Sequence, residues 1–441
     1  MARLPKDRLP ACDPKLPATG SPLRSVAATP TPRVLILSAP YGSGHDRVAA
    51  AIAQAFVMEG ARVETADHFE RFVSPIFAHA SRALFWTILR RAPRLWGLAY
   101  GLSTRLSTES AAMAGMNRLG ARALRRELET GRHDVVVHVH PTPAGAMSWL
   151  RGRGVTNLPH GVILTEFVAH TQWIYPYVDR YFVPDDGIRD GVVAGGVASE
   201  RVVVSGVPID PAFGLPADRA ALREKLGLDP DLPVALVVGG MHGWLGGIAE
   251  VCDILAGLGV PFQAVAVCGV DRRLAARLQS RFAADARFRV VGHVAEMHGV
   301  MGAVDLIVTK AGAVTCAEAL ALERPLVFYR SLPGQERANE AYLERAGAGV
   351  RAPDRKTLTA LLSALLQEPA RRARLTAAAR RLRRPDAGRT VAKEMLALAG
   401  RPSPFGASLG GCGGKPPPRV ELQDVRSRIK VSRGDFRPRT P

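Results

Sequence analysis

The sequence lacks any long apolar run. None of the uninterrupted apolar stretches in its 441 residues approaches the ~20 residues that a bilayer-spanning helix needs. Residues 1–32 are proline-rich and basic, without the apolar core of a secretory signal. We expect a disordered basic leader over 1–32 and a disordered basic tail over 400–441. These absences favour a cytoplasmic protein.

Cysteine is also scarce, and its spacing excludes some kinds of site. The chain has five cysteines and no Cys-x-x-Cys pair, so neither a zinc cluster nor a disulfide framework is indicated. Cys252, Cys268 and Cys316 lie in apolar segments, where buried free thiols are common. This usage is typical of a reducing compartment.

Negative charge is in deficit. Lys and Arg number 59 against 40 Asp and Glu, a formal net charge of +19. This excess predicts attraction to a polyanion, either nucleic acid or an anionic lipid surface. The sequence lacks the aromatic, zinc-binding and helix-turn-helix patterns that carry nucleic-acid recognition. We therefore expect no nucleic-acid partner.

Short apolar runs alternate with helical patterns in both halves of the chain, which is typical of βαβ units and a parallel sheet. The simplest interpretation is two Rossmann-like, doubly wound α/β domains, over 33–212 and 231–399, joined by a linker over 213–230. The predicted strands are 34–38, 134–140, 161–165, 180–184 and 201–206 in the first domain, and 234–240, 262–269, 287–292, 305–312 and 325–330 in the second.

A glycine loop follows the first predicted strand, in the stretch APYGSGHDRVAAAIAQAF over 39–56. Gly42 and Gly44 allow backbone N–H groups to face outward at a helix N-terminus, a site that attracts phosphate or a developing oxyanion. His45 at the same place is a candidate proton acceptor. The loop lacks the third glycine of a dinucleotide fingerprint and has no P-loop lysine. A tight strand-to-helix turn with a solvated histidine is the alternative.

A second turn of this kind lies in DLIVTKAGAVTCAEALALERPLVFY, over 305–329. Its small residues lead into a helix whose N-terminal N–H groups can bind an anion, and Lys310 adds positive charge. Thr315 and Glu318 lie one helical turn apart, so both face one ligand. Phosphate donors beside a carboxylate suit a nucleoside diphosphate whose ribose binds the carboxylate. The alternative is an ordinary βαβ unit with a solvated Glu318.

Residues 69–105 mix aromatic residues with arginines. Such a stretch suits a helix or loop that lies in the interface of an anionic bilayer, and the alternative is a helix that covers the core of the first domain. We assign to this membrane side Phe85, Trp86, Arg90, Arg91 and Trp96.

Taken together, these segments resemble the diacylglycerol glycosyltransferases of glycosyltransferase family 28, the group of monogalactosyldiacylglycerol synthase and the processive diacylglycerol glucosyltransferases. The resemblance runs from about Val34 to Arg384. It rests on the Gly-x-Gly-His loop, on TEFVAHTQW (165–173), on VVGGMHGWLG (237–246), on VGHVAEMHGVMGAVDLIVTKAGAVTCAEAL (291–320) and on PGQERANEAYLERAGAG (333–349).

The resemblance implies a GT-B architecture, in which two Rossmann-like domains face each other across a cleft. It also implies a UDP-sugar donor, inversion at the transferred sugar, and no cofactor or essential metal. By matched position, Glu318 holds the ribose, 312–315 hold the diphosphate and Gln335 meets the sugar. The donor residues implied are Gly240, Met241, His293, Val294, Lys310, Gly312, Ala313, Val314, Thr315, Glu318, Gly334 and Gln335.

Two residues compete for the role of catalytic base. His45 is slightly favoured. Glu166 is the other candidate, although it stands where relatives carry aspartate. Gly42, Gly44 and His170 are assigned to the acceptor side, and a structural role for His170 is an equal alternative.

The expected function is inverting transfer of a hexose from a UDP-sugar to the hydroxyl of a lipid, with diacylglycerol as the expected acceptor, on the inner face of the cell membrane. Three alternatives stay open: a UDP-N-acetylglucosamine transferase that acts on another lipid, one that acts on a non-lipid acceptor, and a non-catalytic lipid-surface protein of this fold. A nicotinamide oxidoreductase is disfavoured because the loop lacks its third glycine. The choice between glucose and galactose, processivity and the oligomeric state stay undetermined.

Overall fold

A computed structural model describes residues 31–39, 41–103, 115–116, 118–240 and 247–399. The predicted leader up to residue 30, the predicted tail from residue 400 and the predicted donor residue Met241 lie outside these ranges.

The first half of the chain forms a six-stranded parallel sheet in the order β2-β1-β3-β4-β5-β6. The central strands are continuous apolar runs because helices cover both faces of a parallel sheet. Its strands are β1 (Arg33–Ser38), β2 (Arg62–Asp67), β3 (Val135–His138), β4 (His160–Ile163), β5 (Arg180–Val183) and β6 (Val202–Val204).

The second half forms another six-stranded parallel sheet, in the order β12-β11-β10-β7-β8-β9. Its strands are β7 (Val234–Val238), β8 (Gln263–Val267), β9 (Phe288–Val291), β10 (Leu306–Thr309), β11 (Leu326–Tyr329) and β12 (Gly349–Ala352). The chain therefore has two doubly wound α/β sheets, and the predicted fold class is confirmed.

Helices connect these strands. Their bounds are α1 (Ser43–Met58), α2 (His68–Phe72), α3 (Pro75–Arg91), α4 (Pro93–Ser103), α5 (Ala121–Glu129), α6 (Pro141–Gly152), α7 (Asp186–Ala194), α8 (Arg219–Lys225), α9 (Ile248–Ala256), α10 (Arg272–Arg281), α11 (Met297–Ala303), α12 (Ala313–Ala321), α13 (Gln335–Arg345), α14 (Arg355–Gln367), α15 (Pro369–Leu382) and α16 (Ala387–Leu396).

The segment predicted as a linker, 213–230, carries ordered structure. It contains α8, and Phe213, in a short 3-10 turn at its start, is buried. Arg223 of α8 is buried and donates to an Asp305 carboxylate oxygen at 2.7 Å, just before β10. This ion pair holds the connecting segment against the second sheet, which its loose composition did not indicate.

The last described helix returns to the first sheet, although the predicted boundaries place it in the second domain. Arg389 of α16 pairs with Glu59, at the end of α1, at 2.8 Å. A Cβ on Gly161 of β4 would lie 2.6 Å from the Met395 sulfur, so that glycine allows close packing. The chain thus crosses from the first sheet to the second at 213–230 and returns to the first sheet before α16.

The three cysteines in apolar segments, Cys252, Cys268 and Cys316, are buried free thiols. Among the described residues, no helix combines the length and the apolar character required to cross a membrane.

Candidate active site

Two helix N-termini, one from each half of the chain, lie next to each other. Helix α1 begins after Gly42 and α12 after Gly312, and neither N-terminus has a side-chain hydrogen bond as its cap. Their first N–H groups therefore remain for a ligand. A Cβ on Gly44 would lie 3.7 Å from Val314 Cγ2, so the glycine loop and the Lys310–Thr315 turn are in contact. The structure brings these two predicted segments together.

Glu318, the predicted ribose ligand, is engaged by a residue from the other half of the chain. It lies on α12 and is buried. Its carboxylate pairs with Arg47 of α1. Burial lowers the pKa of Arg47, and the charge of Asp210 opposes that shift. The carboxylate is thus held in place across the cleft.

Lys310 leaves β10 toward the same turn. Its ammonium pairs with Glu336 of α13, and Glu336 also accepts a hydrogen bond from the Leu332 N–H at 2.9 Å. A Cβ on Gly312 would lie 3.6 Å from Lys310 Nζ, and one on Gly240 would lie 3.3 Å from Lys310 Cε. Gly240 has a φ of 79°, which favours glycine. The lysine head is therefore fixed beside the N-terminus of α12.

Glu166 follows β4 and reaches the second half of the chain through Asn339 of α13. The Asn339 side chain, which is fully buried, donates to Glu166 Oε2 at 2.5 Å and to the Ala311 carbonyl at 3.0 Å. Its carbonyl oxygen accepts from the Phe167 N–H at 2.8 Å. One amide therefore joins the Glu166 side chain and the Phe167 backbone to the turn that starts α12.

The environment of Glu166 raises the pKa of its carboxyl to about 7. Burial is the main cause and the negative charge of Glu336 adds to it, while the Asn339 hydrogen bond and the Lys310 charge act in the opposite direction. A carboxylate with such a pKa is suited to accept a proton near neutral pH.

His45 lies at the first turn of α1 with its ring edge-on to His140, at 5.3 Å between centroids. Its Nδ1 is buried without a hydrogen-bond partner among the described residues. Burial lowers the pKa of His45 to about 4, and a hydrogen bond with the Val139 backbone opposes this. The imidazole is therefore neutral at pH 7 and a weaker base than Glu166.

His170 lies on the first-domain side of the cleft and is buried. Its Nδ1 accepts from the Gln172 N–H at 3.0 Å, and its ring lies 5.0 Å from that of Tyr100. Its Nε2 is buried without a partner in the part of the chain that the structure describes. Burial lowers the pKa of His170 to about 4. Its Nδ1 thus caps a backbone turn, which is a structural role.

Helix α4 packs on the predicted sugar-binding turn. Trp96 Nε1 donates to Gln335 Oε1 at 3.3 Å. Gly334 has a φ of 97°, and a Cβ there would lie 3.1 Å from Tyr100 Cγ. A Cβ on Gly97 would lie 2.5 Å from Pro333 Cβ, closer than such atoms approach. Glycines at both positions permit this contact.

Residues assigned to the membrane side therefore separate into two groups. Trp96 and Phe85 are half-buried, and Trp96 contacts Gln335, whereas Arg90 and Arg91 are exposed. Phe85 packs on Trp86 and Trp96, at 5.5 and 5.1 Å between ring centroids. The large apolar and the arginine side chains of α3 and α4 that are exposed are Ile76, Phe77, Leu84, Arg90, Arg91, Arg94, Leu95, Leu98 and Leu102.

The predicted uracil-reading segment follows β9. His293 lines a surface groove of about 490 Å³ together with Gly269, Arg272 and Gln279. Val294, next to it, is half-buried against the core of the molecule. The donor residues Ala313 and Val314 are buried in the first turn of α12, and Thr315 is half-buried beside them.

Sequence reasoning missed Arg47, Glu336 and Asn339. All three stand inside segments that carried the resemblance, the loop over 42–48 and the stretch over 333–349. The charged and amide side chains within these segments were the signal that could have identified them as functional residues. Their partners lie 271, 26 and 173 residues away in the chain, so the pairing had no local pattern.

Two family models match the chain. Residues 45–209 match monogalactosyldiacylglycerol (MGDG) synthase, and residues 235–391 match the glycosyltransferase family 28 C-terminal domain. The two matches cover the first and second sheets respectively.

Curated relatives match over most of their length. The processive diacylglycerol beta-glucosyltransferase of Bacillus mycoides (strain KBAB4) is 31% identical over 370 residues, which is 83% of this chain and 94% of that protein. The protein of the same name from Bacillus cereus (strain AH187) is 31% identical over 369 residues, with the same coverage.

Solved structures share the fold. MurG of Acinetobacter baumannii has a TM-score of 0.56 at 16% identity, covering 83% of this chain and all of that one. The MnaA–UDP structure of S. aureus has a TM-score of 0.54 at 15% identity, covering 83% of this chain and 98% of that one. With these findings on fold and sequence, the chain belongs to glycosyltransferase family 28, in its diacylglycerol glycosyltransferase group.

Proposed function

We propose that this glycosyltransferase moves a hexose from a UDP-sugar to the hydroxyl of diacylglycerol, with inversion at the transferred carbon. The observation that carries the proposal is the meeting of two uncapped helix N-termini, at Gly42 and Gly312, beside the buried carboxylate of Glu318. The names of the relatives, diacylglycerol glucosyltransferases, supply the acceptor class.

On the donor side, the first N–H groups of α12 bind the diphosphate and Glu318 binds the ribose hydroxyls. The helix dipole stabilises the negative charge that develops as UDP leaves. Lys310 adds a positive charge at the same turn. Its pairing with Glu336 holds the ammonium in position before the donor arrives.

The proposed reaction needs no metal ion. The carboxylates beside the donor turn, Glu318 and Glu336, each pair with a cationic side chain, so their charge is already compensated. One Asp-x-Asp triplet, the pattern in which a metal usually bridges a diphosphate, occurs at Asp229–Asp231. It precedes β7 and so lies at the edge of the sheet opposite the donor turn.

We propose Glu166 rather than His45 as the base. The base must take the proton of the acceptor hydroxyl as that oxygen attacks the anomeric carbon. Glu166 combines a pKa of about 7 with a place beside the donor turn, whereas the pKa of His45 is lowered to about 4. The neutral His45 imidazole orients the acceptor hydroxyl, and the proton passes to Glu166 as UDP departs.

The lipid reaches this cleft from an anionic membrane surface, to which α3 and α4 bind on the inner face of the cell membrane. Leu95, Leu98 and Leu102 form one stripe of α4 and are 55%, 61% and 51% exposed. Exposed arginines at 90, 91 and 94 lie next to it. An apolar stripe beside cationic side chains fits the headgroup region of an anionic bilayer.

The test is UDP release by the purified full chain with UDP-glucose, UDP-galactose or UDP-N-acetylglucosamine. Each donor is offered with and without diacylglycerol in anionic micelles, and with EDTA. We expect lipid-dependent release from one hexose donor, unchanged by EDTA. Release without lipid, loss of release in EDTA, or saturable UDP binding with no release from any donor would contradict the proposal.

A further inference from the structure

The amide of Asn339 joins the proposed base to the donor turn. It donates to Glu166 Oε2 at 2.5 Å and to the Ala311 carbonyl at 3.0 Å, and it accepts from the Phe167 N–H at 2.8 Å. Ala311 directly precedes Gly312, where α12 begins. A buried amide with three such partners has a single orientation.

We infer that Asn339 is a positioning residue for transfer: its amide holds the Glu166 carboxylate in its reactive position against the turn that starts α12. The inference rests on the proposed function of the cleft. Asn339 belongs to the second half of the chain and Glu166 to the first, so this hydrogen bond joins the two halves of the proposed site.

The charges around Glu166 explain why one amide has this effect. Glu336 of α13 raises the pKa of the carboxyl, Lys310 of the donor turn lowers it, and Tyr100 of α4 also lies near enough to interact with the carboxylate charge. Among the described residues, Asn339 supplies the hydrogen bond to this carboxylate. An N–H donor favours the ionised form, so Asn339 keeps a buried carboxylate usable near neutral pH.

The variant that tests this is Asn339→Asp, which preserves the size of the side chain, loses the N–H donor and adds a negative charge. Carbon NMR of the full chain with ¹³C-carboxyl glutamate, assigned with Glu166→Gln, follows the ionisation of Glu166 without any turnover. We expect the pH at which Glu166 is half-ionised to rise by about one pH unit or more in Asn339→Asp. The acid limb of the kcat profile for UDP release is expected to rise by the same amount. For a rise of one pH unit the ionised fraction of Glu166 near pH 7, and with it the activity, falls by about fivefold, and activity recovers at higher pH.

Tyr342→Phe is the matched control, because Tyr342 lies three residues on in α13 and bonds Asp185 across the same cleft. We expect its Glu166 midpoint and kcat profile to match those of the original chain. Asn339→Leu, which removes both hydrogen-bonding atoms, should raise the midpoint as well. A Glu166 midpoint that is the same in the original chain and in Asn339→Asp would overturn the inference. A shifted midpoint in a chain that releases no UDP from any donor would instead count against the proposed function and leave the positioning by Asn339 supported.

Discussion

At the scale of single residues, Arg47 compensates the charge of the buried Glu318 carboxylate, the proposed ribose ligand. The guanidinium reaches Glu318 from the opposite half of the chain. Without it, a carboxylate buried on α12 would lose its compensating charge and become protonated more easily. A protonated carboxyl accepts hydrogen bonds from ribose hydroxyls poorly, so in the proposed donor site we expect donor affinity to depend on Arg47.

We therefore predict that Arg47→Met weakens UDP binding by about tenfold, the loss expected when a charge-assisted hydrogen bond is no longer supported. Titration calorimetry with UDP measures this. Arg389→Met, which breaks a more exposed pair with Glu59, is the control and should bind UDP normally. Tighter UDP binding in Arg47→Met would show that Arg47 competes for the ribose position instead of supporting Glu318.

The sequence alone predicted the strand, small-residue turn and helix that carry Glu318, because these are contiguous in the chain. Arg47 and Asn339 were not predictable in the same way. Their roles follow from partners 271 and 173 residues distant, and no local spacing encodes such a pairing. The pKa of Glu166 depends on that same assembly.

At the scale of secondary-structure elements, α4 has two apolar faces. Trp96, Gly97 and Tyr100 lie against the turn over 333–335, while Leu95, Leu98 and Leu102 face outward. Residues 96 and 100 are four apart, as are 98 and 102, so each set follows one side of the helix. A single short helix thus links the exposed surface to the predicted sugar-binding turn.

We predict that Gly97→Ala displaces α4 from the turn, since the added Cβ would lie 2.5 Å from Pro333 Cβ. The expected result is a higher KM for the UDP-sugar and a loss of stability, because overpacking costs about 1–3 kcal/mol. Gly101→Ala is the control on the same helix, because nothing lies within 4 Å of its new Cβ. That variant should keep KM and gain up to about 1 kcal/mol from helix propensity. Equal behaviour of the two variants in melting and kinetics would contradict the close approach.

For the outward face, we predict that Leu98→Ser weakens binding to anionic vesicles by about tenfold, since burial of a leucine contributes about 1.5–3 kcal/mol. Vesicle sedimentation measures the effect. Leu215→Ser is matched in residue type and in exposure, 65% against 61%, but lies outside α3 and α4. It should sediment like the original chain. Equal loss in both variants would argue against a membrane face on α4.

Prediction from the pattern found the inner strands and one edge strand of each sheet, β6 and β9, and missed the opposite edge strand of each sheet. All ten predicted strands are present, whereas β2 (RVETAD) and β12 (GVRA) were not predicted. Edge strands are partly exposed and carry charged residues, which interrupt the apolar run. Their existence depends on a neighbouring strand that is formed elsewhere in the sequence.

At the scale of the whole molecule, buried histidines make stability depend on pH. Burial lowers the pKa of His68 and His170 to about 4 and that of His160 to about 3. Below about pH 6.5 these histidines therefore bind protons in the unfolded chain but stay neutral in the folded chain. Their contribution to stability is complete above pH 6.5 and is lost as the pH falls toward 4. Glu166, with a raised pKa, acts in the opposite direction between about 4.5 and 7.

We predict a lower urea midpoint at about pH 5.5 than at about pH 7.5, with each histidine contributing roughly 1 kcal/mol and Glu166 offsetting part of the sum. Urea unfolding followed by tryptophan fluorescence measures it. His170→Gln removes one of these titrating groups, so the difference between the urea midpoints at the two pH values should become smaller. A midpoint that stays equal or rises on acidification would contradict the neutral state of these imidazoles.

The connection between the two sheets was predicted only in outline. A loose stretch between two apolar patterns marked the first crossing. The second crossing, before α16, had no signal, because the contact of this helix with α1 depends on tertiary packing.

The most direct test of the account is the structure of the product. The full chain is incubated with UDP-glucose or UDP-galactose, labelled in the sugar, and diacylglycerol in anionic micelles. The glycolipid is then isolated, and its anomeric configuration is read from the proton coupling constant. We predict a β-linked glycosyl diacylglycerol from the α-linked donor, and far less of it from Glu166→Gln. An α-linked product would contradict inversion by a single base, and label that never enters the lipid would contradict the proposed acceptor.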